Sequence, residues 1–148
     1  FIRSPWQLTI ALVVQGLAGR LSAEQCRRIE AHVSDEEQAA RRDAALSIRL
    51  AGEFHTMLAD MTGNALLARY VNDVVSRCSL ILALYGRRHS AECGVSEHRE
   101  VLAALRAGQA ETAAALMTSH LDAITSRALL AGDDPRDVLA SYAQKEGL

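Results

Sequence analysis

Apolar positions recur every three to four residues along most of this chain, the spacing that gathers them on one face of an α-helix. Leu46, Leu50, Phe54, Leu58 and Met61 keep that period and predict a helix over Ala44–Met61. Leu67, Tyr70, Val71, Val74, Cys78, Ile81 and Leu82 predict another over Ala65–Tyr85, with Thr62-Gly63-Asn64 as the break between them. Upstream, Ser4-Pro5 supplies an N-cap and a proline at the first helical position. A first helix follows to about residue 18, where Gly19 suits the C-terminal cap. Ser22 and Gln25 have capping-box form and open a second helix, on which Leu21, Cys26, Ile29 and Val33 mark the apolar side. Residues 35–43 are almost wholly polar and read as a solvated continuation of that helix or as a junction.

Further along, residues 86–94 read as a polar loop, and Ser96 starts a fifth helix with Val101, Leu102 and Leu105 inward. Ala107-Gly108-Gln109 is a tight corner before a sixth helix over residues 111–130, and a short tail helix is expected over 136–144. No segment alternates with period two for long enough to form a strand. Long helices joined by short loops pack as antiparallel neighbours, so the expected architecture is all-α: a compact antiparallel bundle of six to seven helices in one domain spanning residues 1–148.

Composition agrees with this reading. Hydrophobic residues make up 49% of the 148 and charged residues 23%, which is globular rather than disordered. Aromatics reach only 4%, so strand-forming material is scarce. A net charge of −2 argues against nucleic-acid binding by this domain alone, because phosphate contacts need a concentrated basic surface. Cys26, Cys78 and Cys93 are odd in number and form no C-x-x-C pair, which points to a reducing, cytoplasmic setting. The apolar run over residues 8–14 is too short to span a bilayer.

The chemistry lies in the histidines. His55 sits one turn before Leu58, His98 one turn before Leu102, and His120 between Leu116 and Ile124, so each borders the apolar stripe of a different helix. Antiparallel packing can bring three such side chains together, and neutral imidazole is a good ligand for first-row divalent metals. Taken singly, each also reads as a core histidine bonded to a carbonyl or carboxylate. His32 and His89 lie in polar surroundings and are expected in solvent.

Four strings carry a resemblance. Residues 50–64 read LAGEFHTMLADMTGN, 76–85 SRCSLILALY, 93–107 CGVSEHREVLAALRA and 112–121 TAAALMTSHL. In combination they resemble the FCD domain, the C-terminal effector-binding domain of FadR-subfamily GntR transcription regulators. The resemblance implies a six- or seven-helix bundle in which a divalent metal, zinc or another transition metal such as nickel, is held by His55, His98 and His120. It further implies a small organic-acid effector in the bundle core, a homodimer, and DNA binding through an N-terminal winged helix-turn-helix domain that is absent from this chain. One departure stands out. The family places an aspartate four residues before the first histidine, where this chain has Ala51. Arg77 matches the family arginine and is the first candidate for pairing with an effector carboxylate; Arg49 and Asn64 are further candidates, and Asp73 is a candidate replacement carboxylate. Asn64 also reads as a helix cap.

Two other functions remain open on sequence. A zinc hydrolase would share a three-histidine metal site with open positions, but no H-E-x-x-H occurs, and the side chain of Glu97 is expected to point away from His98's face, so no enzyme is expected. A metal-free helical ligand-binding or dimerisation module is favoured by the missing aspartate.

Overall fold

The computed structural model describes the backbone of residues 4–85 and 90–130 and the side chains of 4–84 and 93–126. Among the described residues six helices follow one another: α1 (Pro5–Leu17), α2 (Ala23–Arg42), α3 (Ala44–Met61), α4 (Ala65–Tyr85), α5 (Ser90–Arg106) and α6 (Ala110–Leu130). The described residues form an all-helical bundle without strands.

Local chemistry sets most boundaries. Ser4 and Ser22 each accept from the backbone N–H three residues on, while Gln7 and Gln25 reach back to the cap's own N–H, so α1 and α2 both begin with a complete capping box. Asp43 ends α2 in extended backbone and caps α3 through the Leu46 N–H. Residues 35–42 are therefore a helical continuation, and the junction is the single residue Asp43. α5 starts at Ser90, six residues before the expected Ser96, and takes up part of the expected loop. Residues 86–89, including His89, and the tail from 131 onward, including the expected helix over 136–144, lie outside the described residues.

Two corners meet back to back. Gly19 and Gly108 both have φ of 70°, which glycine adopts without a Cβ penalty. A Cβ on Gly19 would meet the Gly108 Cα at 3.3 Å, and the Gly19 N–H donates to the Leu105 carbonyl at 3.0 Å. The α1–α2 turn is thereby tied to the α5–α6 turn.

α3 runs through the middle and packs on α1, α2, α4 and α5; α6 packs on α1 and α5, and α2 bridges α3 and α5. The core contains Ile10, Val14, Ile29, Val33, Phe54, Leu58, Val71, Val101, Leu105 and Met117, each 2% exposed or less. Because α3 is enclosed on several sides, both Phe54 and its neighbour His55 are buried although they point about 100° apart.

Candidate metal centre

Six polar or charged side chains are buried among the described residues, and three of them are the singled-out histidines: His55 from α3, His98 from α5 and His120 from α6. Their exposures are 4%, 0% and 2%. The Nε2 atoms face one another: His98 to His120 is 3.0 Å, and His120 to His55 is 3.3 Å. Three ligand atoms, one per ring, lie within 4.8 Å of each other. Nitrogens bound about 2.0–2.1 Å from one zinc ion stand about 3.3 Å apart at the tetrahedral angle and about 2.9 Å apart at a right angle. The separations of 3.0 and 3.3 Å match adjacent ligands of one ion.

The far sides of the rings explain why the Nε2 atoms converge. Nδ1 of His98 lies 2.8 Å from Glu36 Oε2, and Nδ1 of His120 lies 2.5 Å from Glu97 Oε2. A carboxylate at Nδ1 holds the ring's proton there and leaves the Nε2 lone pair free to point inward, the usual arrangement of a metal-bound histidine. Phe54 stacks on His98 at 3.9 Å between centroids, with 12° between the planes, and meets His55 edge-on. Trp6 of α1 also meets His55 edge-on. His55 Nδ1 is buried without a hydrogen-bond partner.

The electrostatics favour neutral rings. Burial, reinforced by His120 and His98, holds His55 well below the ordinary histidine range. Burial likewise lowers His98 to about 3, against an opposing pull from Glu97. Imidazoles that resist protonation are available as ligands down to low pH. Burial pushes the Glu36 carboxyl up to about 8, opposed by His32 and His120. In the absence of a central cation, Glu36 thus keeps its proton at neutral pH and can donate it to His98 Nδ1, leaving His98 Nε2–H to donate to His120. A cation at the three Nε2 atoms needs the other arrangement, with Glu36 ionised and accepting from His98 Nδ1–H. The donor set therefore fits a divalent ion and supplies the compensating negative charge from Glu36 and Glu97.

The remaining sequence candidates are not brought to this cluster. Arg77 and Asp73 are exposed on α4. Arg49 is exposed, lies 3.5 Å from Glu53 and lines an open groove between α3 and α4 with Ser76 and Ser79. The Asn64 side chain accepts from the Leu67 N–H and caps the start of α4. His32 is not in solvent as its polar neighbours suggest. It is half-buried, donates from Nε2 to the Leu50 carbonyl at 2.7 Å and approaches Glu36 Oε1 at 3.5 Å.

Sequence reasoning missed Glu36 and Glu97. Glu36 had a signal: Ile29, Val33 and Glu36 fall on one face of α2, so it continues the apolar stripe, and it is 1% exposed. Glu97 points away from the face of His98, as its adjacency requires, and for that reason it reaches the neighbouring helix and His120.

Fold and site together define an all-helical domain with a buried three-histidine cluster. The family model described as the FCD domain matches residues 11–123, more than half of the chain, and the chain belongs to that family. FCD domains are the C-terminal effector-binding domains of GntR-type regulators, which are not enzymes. No curated protein and no solved structure matches the chain. No helix among the described residues is long and apolar enough to cross a membrane.

Proposed function

We propose that this domain senses a small carboxylate through a divalent metal ion, zinc or another transition metal, held by His55, His98 and His120. The observation that carries the proposal is the convergence of three buried Nε2 atoms, two of them on rings whose Nδ1 atoms are held by carboxylates. With Ala51 at the position of the family aspartate, three protein nitrogens leave at least one coordination position for water or an effector oxygen. A bound ion would supply Lewis acidity toward the effector's carboxylate. His55, His98 and His120 fix its position, Glu36 and Glu97 fix the ring tautomers, and Phe54 fixes the plane of His98. The effector changes DNA binding by a separate N-terminal domain of a homodimeric FadR-type regulator only as far as it favours one helix arrangement over another.

The test is calorimetric titration of the zinc-loaded domain with a panel of mono-, di- and hydroxycarboxylic acids. At least one acid is expected to bind, with the heat lost in the H98A variant and in protein stripped by chelator. Absence of binding across the panel to fully metal-loaded protein overturns the effector part of the proposal.

A further inference from the structure

The outward face of α4 carries large apolar side chains that nothing in the described chain covers. Leu66 is 78% exposed, Leu84 65%, Leu80 62%, Ile81 47% and Tyr70 40%. Scattered single leucines on a surface are ordinary, but these five gather in two exposed apolar clusters along one side of the helix, Leu66 with Tyr70 at one end and Leu80 with Ile81 and Leu84 at the other, and so mark a contact surface.

The order of residues along this face indicates what covers it. Val75 is buried against the bundle. At 100° per residue, Leu66, Tyr70, Asp73, Arg77, Leu80 and Leu84 all fall within about 40° of the line opposite Val75. The stripe is symmetric about that residue. Two residues out stand Asp73 and Arg77, five out stand Tyr70 and Leu80, and nine out stand Leu66 and Leu84. Asp73 and Arg77 are both exposed, and neither is in an ion pair with another described residue.

A stripe with this symmetry is complementary to itself read backwards. When two copies of α4 pair antiparallel about a two-fold axis at Val75, each position faces its mirror position on the other copy. Leu66 then meets Leu84, Tyr70 meets Leu80, and Asp73 meets Arg77, with every contact made twice. Over about 27 Å of helix the pair has an apolar patch at each end and two opposite-charge contacts in the middle. A parallel pairing would instead set Asp73 against Asp73 and Arg77 against Arg77. We infer that the Leu66–Leu84 face of α4 is the homodimer interface of this domain, formed antiparallel with a second copy of the chain. The inference gives a location to the homodimer of the functional reading and owes nothing to the metal.

Sedimentation equilibrium of the full chain and two charge-reversal variants tests it. The wild type is expected to dimerise. D73R sets like charges together at both central contacts, as does R77D, and each is expected to weaken the dimer at least tenfold while leaving the helical circular dichroism unchanged. The double variant D73R/R77D restores opposite charges and is expected to dimerise again. An equimolar mixture of D73R and R77D is expected to form a heterodimer, which a helix-packing role for these residues would not produce. A wild type that is monomeric at 100 µM overturns both the homodimer and its interface. A D73R protein as dimeric as the wild type, or single variants that do not pair on mixing, overturns the interface alone.

Discussion

Glu36 shows how one side chain ties together stability, protonation and ligand geometry. Its carboxyl is raised from 4.5 to about 8, so between those values the folded protein holds a proton that the unfolded chain has lost. This contribution to stability therefore declines as pH rises through that window. His98 works in the opposite sense. Lowered from 6.5 to about 3, it is neutral in the fold where the unfolded chain is protonated, so its contribution grows with pH up to about 6.5, and His55 adds in the same direction. The metal-stripped domain is expected to melt highest near pH 6.5 and to lose stability toward pH 8, with the alkaline decline absent in E36Q. Thermal melts from pH 3 to 9 in chelator measure this, and a melting temperature that climbs steadily through pH 8 contradicts it. E36Q should also bind zinc 10- to 100-fold more weakly, the usual loss when a carboxylate behind a ligating histidine is removed. Competition against a chromogenic chelator reads that loss; wild-type affinity in E36Q would show that Glu36 does not orient His98.

Most element boundaries were legible because they rest on local chemistry. The two capping boxes, Asp43 before α3 and the Thr62-Gly63-Asn64 break set helix ends through residues only a few positions apart. The early start of α5 was not legible, since residues 90–95 lack an apolar period that would announce a helix. At the site, periodicity placed His55, His98 and His120 on buried stripes, but which atoms meet depends on helix crossings that no local pattern encodes. The same applies to Glu36, Glu97 and His32, whose partners lie on other helices or in the next one along the chain. The α3–α4 crossing is close because Gly52 has no side chain: a Cβ there would sit 2.8 Å from both Ser79 Oγ and Val75 Cγ1. Val75 is stiff at χ1 and partly locked in the core, so G52A is expected to cost about 1–3 kcal/mol, the usual range for overpacking. Urea unfolding of G52A measures it, and a variant as stable as the wild type would show that α4 shifts outward freely.

The whole molecule is a bundle whose polar centre joins helices far apart in sequence. α2, α3, α5 and α6 each send at least one side chain to the cluster, so an ion there would tie four of the six described helices together. A ligand that binds only the folded state raises its stability in proportion to its affinity, and saturating zinc at 100 times its dissociation constant adds about 2.7 kcal/mol. The outer face of α4 and the buried cluster make separate demands on the fold: charge reversal at Asp73 should leave metal binding intact, and loss of His98 should leave dimerisation intact. The central claim is that His55, His98 and His120 hold one divalent ion. It is tested most directly by elemental analysis and zinc titration of untagged protein, wild type beside H98A and H120A. One equivalent of metal and a higher melting temperature are expected in the wild type, with both lost in the two variants. Fewer than about 0.2 equivalents in the zinc-saturated wild type, with no rise in melting temperature, would contradict it.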